Sequence, residues 1–150
     1  MANRTGSCRC GALEISLAGP PLMSVACHCK GCQKMTGSAF SMSEMHPEPA
    51  FSVTKGDPVL GGLKGETEHN FCPECLSWVF SRPARLDGLV MVRGSMMDDA
   101  DQFPPFAETC TAEKFAWVET GAEHSFPSFP PEEAMPEILQ AYAALHEPQA

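Results

Sequence analysis

Seven of the eight cysteines stand in three short groups, and this pattern is the part of the chain best suited to chemistry. The groups are Cys8-Arg9-Cys10, Cys27-His28-Cys29-Lys30-Gly31-Cys32 and Cys72-Pro73-Glu74-Cys75, while Cys110 stands alone. Zinc takes four sulfur or nitrogen ligands in a tetrahedron when its role is structural, and three when one position serves substrate or water. Short paired spacings in separate parts of a chain are typical of zinc sites. The cysteines therefore predict metal binding.

The seven grouped thiols divide into a set of four and a set of three. The four-cysteine set is Cys8, Cys10, Cys72 and Cys75, and the triplet is Cys27, Cys29 and Cys32. Each short pair presents two sulfurs to one ion, so the four-cysteine set predicts a closed, structural zinc site. The triplet leaves one coordination position open and predicts a second zinc site that can react. We expect two zinc ions per chain.

Disulfide bonds are the alternative use of the cysteines, because their number is even. A secretory signal peptide contains an apolar core, and residues 1–11 contain no such apolar run. Thiols in the cytosol stay reduced. We therefore expect a cytoplasmic location and free thiols. Cys110, between two threonines, is interpreted as a buried small residue, with a reactive or fourth-ligand role as the alternative.

The chain has a net charge of −9, and this charge is unevenly distributed. Residues 1–75 carry six basic and seven acidic side chains, whereas residues 76–150 carry four and twelve. A surface that binds phosphates needs a stripe of basic residues, so we expect no nucleic-acid partner. No stretch approaches the roughly 18 apolar residues of a membrane span, so we expect no membrane partner either.

Alternating apolar residues predict that the chain is mainly β. Residues 13–17 alternate in the period of a half-buried strand, and residues 23–27 repeat this alternation, so that a second strand ends at Cys27. Further strands are predicted at residues 39–45, 51–53, 59–63, 77–80 and 89–93. Such short and closely spaced runs, with turn residues between them, favour an all-β domain over alternating strands and helices. Residues 107–118 show no clear period.

A short helix is predicted at the C-terminal end. Ile138, Leu139, Tyr142 and Leu145 fall on one helical face beyond Pro136. The residues before it, 126–131, hold three prolines, which indicates an irregular segment lying over the sheet.

The cysteine segments resemble the glutathione-dependent formaldehyde-activating enzyme family in both order and spacing. The matching segments are Cys8-Arg9-Cys10-Gly11, the triplet segment with Gly37-Ser38-Ala39-Phe40 behind it, and Phe71-Cys72-Pro73-Glu74-Cys75. The resemblance continues through Arg93-Gly94-Ser95, Phe103-Pro104-Pro105, Phe115-Ala116-Trp117-Val118 and Phe129-Pro130. It implies a mainly β, Mss4-like zinc-binding fold over residues 1–130, and the predicted helix forms an extension over residues 131–150 that lies outside the resemblance. It also implies a structural zinc on the four-cysteine set and a second, catalytic zinc on the triplet.

Leu76 departs from the family pattern next to a predicted metal ligand. The family usually places glycine directly after the last cysteine of the four-cysteine set, and glycine adopts a positive φ without strain. Leucine adopts a positive φ only rarely. We therefore expect a slightly different or strained turn at Leu76, with all four ligands retained.

The resemblance implies carbon-sulfur lyase activity, in which formaldehyde is joined to the thiol of glutathione or released from it. Three thiolates and one divalent ion leave one net negative charge, so a small thiol is a suitable fourth ligand. Zinc lowers the pKa of a bound thiol, and the thiolate can attack a small aldehyde. Lys30 and Lys34 are candidates to receive a substrate carboxylate, with solvated surface charges as the alternative.

Two other functions stay open on the sequence alone. A non-catalytic zinc module that binds a protein partner is one, because a shared fold does not fix function. Methionine sulfoxide reduction is the other, and for it only Cys110 is available as a nucleophile. The open triplet favours the enzyme over the binding module, because a scaffold gains nothing from an unfilled coordination position.

The histidines are not predicted to bind metal. His28 lies between two cysteines of the triplet, and strand alternation turns its side chain away from the metal. The others show no ligand spacing and are expected at the surface: His46, His69, His124 and His146.

Overall fold

The computed structural model of the chain describes residues 2–147, which form eleven strands in two sheets and two α-helices. The strands are β1 (Asn3–Ser7), β2 (Glu14–Ala18), β3 (Met23–Cys27), β4 (Ser41–Pro47), β5 (Phe51–Lys55), β6 (Val59–Gly61), β7 (Thr67–Phe71), β8 (Trp78–Pro83), β9 (Leu89–Arg93), β10 (Ala107–Thr109) and β11 (His124–Ser125). The helices are α1 (Lys30–Thr36) and α2 (Met135–Leu145).

The two sheets differ in size. The smaller sheet has three antiparallel strands in the order β1-β2-β5. The larger sheet has eight strands in the order β11-β10-β3-β4-β9-β8-β7-β6, and β10 runs parallel to both β3 and β11. At the end of β3, Cys27 is paired with Ser41 of β4 on one side and with Thr109 of β10 on the other. A strand end held on both sides is a rigid position for a ligand residue.

The main hydrophobic core joins the smaller sheet to β8 and β9 of the larger sheet. Leu13, Ile15 and Leu17 are fully buried there, as the alternation in the sequence predicts. The other buried members of this core are Cys8, Phe51, Cys72, Val79, Phe80, Val90, Val92 and Met97. Two ligand candidates of the four-cysteine set are therefore part of the core that holds the sheets together.

A second core lies under α2. Ile138 and Tyr142 of this helix are buried against β3, together with Phe106. Leu145, further along the same helical face, is 60% exposed.

The structure confirms the mainly β fold with a short C-terminal helix. The bounds of β3 and β9 coincide with the predicted strands at residues 23–27 and 89–93. Helix α1 and strand β10 were not predicted, because neither short segment shows a clear apolar period. The proposed boundary at residue 130 stays a prediction, and residues 1 and 148–150 of the predicted domain and extension lie outside the described residues.

Within residues 2–147, neither α-helix has the length and apolar character needed to cross a membrane.

Candidate metal centres

The four-cysteine set is assembled as the sequence predicts. Its four Sγ atoms lie within 4.8 Å of one another, with 3.6 Å between Cys8 and Cys10 and 3.8 Å between Cys10 and Cys72. A tetrahedral zinc ion with Zn–S bonds of about 2.3 Å requires sulfur atoms about 3.8 Å apart. A disulfide would need about 2.05 Å, and all eight cysteines are free. The donor set therefore fits a closed tetrahedral metal site.

Tight turns present these four sulfurs. The Sγ of Cys8 accepts a hydrogen bond from the backbone N–H of Leu13 at 3.3 Å, and the Cys75 Sγ lies 3.2 Å from the hydroxyl of Ser77. In the second turn, the N–H of Leu76 donates to the carbonyl of Cys72 at 2.9 Å. These contacts with backbone N–H groups and a serine hydroxyl fix the two turns and their sulfur atoms.

The predicted departure at Leu76 is confirmed. This residue has a φ of 59°, in the left-handed region that glycine adopts freely, and its side chain is 69% exposed. A non-glycine residue in this region costs on the order of 1–3 kcal/mol. All four cysteines are nevertheless grouped so that they could share one ion.

The triplet is also assembled, at the junction of β3 and α1. Its three Sγ atoms lie within 4.8 Å of one another, and each residue is half-buried. Cys27 ends β3, and Cys29 caps α1 by accepting a hydrogen bond from the N–H of Cys32 at 3.3 Å. At the other end of α1, Gly37 adopts the left-handed conformation with a φ of 62°. A cysteine cap and a glycine stop explain how so short a helix forms without an apolar period.

His28 is fully buried and makes three hydrogen-bonding contacts. Its backbone N–H donates to the carbonyl of Thr109 at 3.0 Å, and its own carbonyl accepts from Nε2 of Gln33 at 2.7 Å. Its Nε2 lies 2.8 Å from Oε2 of Glu108. The group of atoms that could share one ion consists of the three cysteines of the triplet. The residue between Cys27 and Cys29 is therefore fixed in position by its neighbours.

Glu108 is the centre of a hydrogen-bond cluster that the sequence did not reveal. Its carboxylate, in a residue only 6% exposed, accepts hydrogen bonds from Thr120 and Ser125 at 2.8 Å and from Lys114 at 3.2 Å, besides the contact with His28. Burial alone would raise the pKa of Glu108, but these hydrogen bonds lower it to about 2. The cluster ties residues 114–125 to the triplet segment.

Arg93 is a second buried charge near the triplet. The residue is 6% exposed, its guanidinium lies 4.0 Å from the centre of the Trp78 ring, and Nη2 donates to the carbonyl of Met91 at 3.3 Å. Burial lowers the pKa of Arg93 to about 10, and the negative charges of Cys32 and Cys27 oppose that lowering. In the sequence, Arg93 is noted only because the segment Arg93-Gly94-Ser95 resembles the family.

Lys30 is held in place, although it is exposed. Its Nζ donates to Oε1 of Gln33 at 3.3 Å and lies 4.9 Å from the ring centre of Phe115. The Phe115 ring stacks on Trp117 with 5.7 Å between centres and an angle of 8°. Lys34 lies one helical turn further along α1 and is exposed. A substrate carboxylate at either lysine remains a proposal.

Cys110 is buried, as expected. It is 6% exposed and has a φ of 56°, a conformation that is uncommon for a residue with a side chain. Burial, together with the negative charge of Cys27, raises the pKa of Cys110 to about 12. Its Sγ does not belong to either group of sulfurs that can share one ion.

The expectation that the remaining histidines lie at the surface is wrong for His46. This residue is fully buried, and its Nε2 lies 3.0 Å from Oε2 of Glu44, which also accepts from Arg4 at 2.7 Å. The three others are partly exposed: His69, His124 and His146. A buried ion pair between β1 and β4 accounts for His46, and local sequence does not indicate it.

Comparisons with known proteins identify a family and a similar fold. The family model described as glutathione-dependent formaldehyde-activating enzyme matches residues 3–113, a stretch that contains both cysteine groups. A crystal structure of a Rhodobacter sphaeroides protein is similar in fold, with a TM-score of 0.50, 19% identity, and coverage of 63% of this chain and 88% of that one. A search of the curated proteins found no match.

Proposed function

Because the chain belongs to the glutathione-dependent formaldehyde-activating enzyme family, we propose that it is a zinc-dependent carbon-sulfur lyase-type enzyme. Its substrate would be a small thiol adduct, as in the formation of S-(hydroxymethyl)glutathione from formaldehyde and glutathione. We propose two zinc ions per chain, one on the four-cysteine set and one on the triplet.

The observation that carries this proposal is the difference in ligand number between the two groups. The four-cysteine set offers a complete tetrahedron, whereas the triplet offers three sulfurs and no fourth histidine, cysteine or carboxylate ligand among residues 2–147. Catalytic zinc sites keep one position for water or substrate, and structural sites do not. When bound, the ion would lower the pKa of a substrate thiol in that position.

The proposed reaction is balanced without an oxidant or a reductant. In the forward direction a bond forms between the thiol sulfur and the aldehyde carbon, and the thiol proton ends on the former carbonyl oxygen. In the reverse direction the carbon-sulfur bond breaks, and aldehyde and thiol are released.

The chain's own contribution is to position the sulfurs. Gln33 and Thr109 hold the backbone of His28, so that Cys27 and Cys29 cannot turn apart. Lys30 lies directly after Cys29 and would receive a carboxylate of an anionic thiol such as glutathione. The rigid placement of reacting groups is itself a large part of catalysis.

Cobalt substitution tests thiol binding. Co²⁺ in a site with three thiolates absorbs in the visible region and in the thiolate charge-transfer region, and glutathione at millimolar concentration should change both. No change would favour the non-catalytic zinc module over the enzyme.

The activity itself needs a separate assay. The protein at micromolar concentration should consume free formaldehyde in the presence of glutathione faster than the uncatalysed reaction does. A Cys29→Ser variant serves as the control, because it should retain the fold without the triplet site. Equal rates for the wild type and this variant would contradict the proposed reaction even if the thiol binds.

A further inference from the structure

Arg93 is buried without a carboxylate partner. Arg4, the other arginine with little exposure, forms an ion pair with Glu44 at 2.7 Å, and the partly exposed Arg82 pairs with Glu48. Arg93 has no such pair among the described residues, and its Nε lacks any hydrogen-bond partner. Stacking on an indole ring offsets only part of the lost hydration of a guanidinium. A buried cation of this kind requires a negative charge nearby.

The register of the large sheet places Arg93 on the same face as the triplet. Cys27 of β3 is paired with Ser41 of β4, and Ser43 of β4 is paired with Arg93 of β9. Residues directly opposite each other in a sheet share a face, and so do residues two apart on one strand. Cys27, Ser41, Ser43 and Arg93 therefore project from one side of the sheet.

Two buried polar atoms without partners lie on the same face as Cys27. Five such side-chain atoms occur among the described residues, and two of them, Ser41 Oγ and Arg93 Nε, belong to residues of this face. Unpaired buried polar atoms are rare in folded proteins, and each requires an explanation. A charged centre at the triplet would supply a partner for both atoms.

From the shared face, the burial and the missing carboxylate, we infer that Arg93 is a positioning residue whose counter-charge is the metal-loaded triplet. Three thiolates and one divalent ion carry one net negative charge, and the guanidinium makes the whole neutral. A substrate thiolate in the fourth position adds a further negative charge, which Arg93 also stabilises. Arg93 therefore favours metal binding at the triplet and the thiolate form of the substrate.

This inference rests on the proposed metal site at the triplet, and two variants separate charge from shape. Arg93→Met keeps an apolar side chain of similar length on the Trp78 ring but removes the charge. Arg93→Lys keeps the charge. Arg82→Met is the matched control, because Arg82 also lies over aromatic rings, those of Phe51 and Phe80.

The measurements are zinc content, the affinity of each site for zinc in a competition with a chelator, and the cobalt spectrum with and without glutathione. We expect Arg93→Met to weaken zinc binding at the triplet by about 10- to 100-fold, the range seen when groups around metal ligands are lost. It should leave zinc binding at the four-cysteine set and the near-ultraviolet circular dichroism spectrum unchanged. Arg93→Lys should restore most of the affinity, and Arg82→Met should behave as the wild type does.

Each other result overturns the inference in a distinguishable way. If Arg93→Met holds both ions as tightly as the wild type, Arg93 is not the counter-charge. If Arg93→Met and Arg93→Lys weaken the triplet equally, the shape of the guanidinium matters and its charge does not. If the wild type binds only one zinc ion, the proposed function and this inference fail together.

Discussion

The two cysteine groups differ in how much of the fold each one connects. The four-cysteine set joins two hairpin turns separated by residues 11–71, and two of its members, Cys8 and Cys72, are buried in the main core. The triplet lies within six consecutive residues, all three members are half-buried, and its surroundings include the buried polar residues His28 and Arg93. One group is suited to hold distant segments together, and the other to bind a ligand.

The contrast shows why ligand count and chain separation have to be considered together. A metal ion stabilises a fold in proportion to the chain freedom that it removes from the unfolded state, and a link across many residues removes more than a link across a few. A site that exchanges ligands is better placed within a short segment of the chain, because the loss of one of its ligands does not disrupt the hydrophobic core.

The largest expected effect is on the four-cysteine set. Cys75→Ser leaves a poorer ligand shell at the site that connects the two turns, so the variant should melt at a lower temperature or accumulate in the insoluble fraction. Losing about 5 kcal/mol in a chain of this length lowers Tm by about 10–20 °C. A thermal melt followed by circular dichroism, with zinc analysis of the soluble fraction, measures this. An unchanged Tm together with one lost zinc would show that this site is not structural.

Cys29→Ser should separate the second site from the first. We expect zinc content to fall from two ions to one and any thiol-dependent activity to disappear, while Tm changes by less than about 5 °C. The reason is that the triplet cross-links only six residues. Should this variant unfold as readily as Cys75→Ser, the triplet is a second structural site and the comparison drawn above is wrong.

Glu108→Gln should weaken the triplet without affecting the four-cysteine set. The amide keeps the shape of the side chain but loses the charge that Lys114 pairs with at 3.2 Å, and it holds His28 less firmly. We expect zinc affinity at the triplet to fall by about 10-fold. Glu123→Gln is the control, because this carboxylate is exposed in the neighbouring segment. Equal loss at both metal sites would indicate general destabilisation.

The smallest effect is expected at the strained turn of the four-cysteine set. Leu76→Gly removes the cost of a positive φ, partly offset by the greater freedom of glycine in the unfolded chain, for a net gain of about 0.5–1 kcal/mol. Tm should rise by about 1–4 °C with two zinc ions retained. Leu60→Gly, at an exposed strand position without positive φ, should lower Tm instead. A lower Tm for Leu76→Gly would mean that the leucine side chain contributes contacts that outweigh the strain.

Much of this molecule follows from local patterns. The spacing of the cysteines predicts both ligand groups, the alternation at residues 23–27 predicts the strand that ends at Cys27, and the leucine in place of the family's glycine predicts a different or strained turn at Leu76. Each of these depends on residues close together in the chain, or on a ligand type so specific that distance does not obscure it.

The tertiary structure alone decided which charges surround the triplet. His28 and Glu108 are 80 residues apart in the chain, and Arg93 reaches the face of Cys27 only through the register of β3, β4 and β9. His46 is buried for a similar reason, because Glu44 is held by Arg4 from another sheet. Periodicity records which face of a strand is apolar, but it does not record which strand lies beside it. The partners of a buried charge are fixed by strand order and register, and these emerge only when the chain is folded.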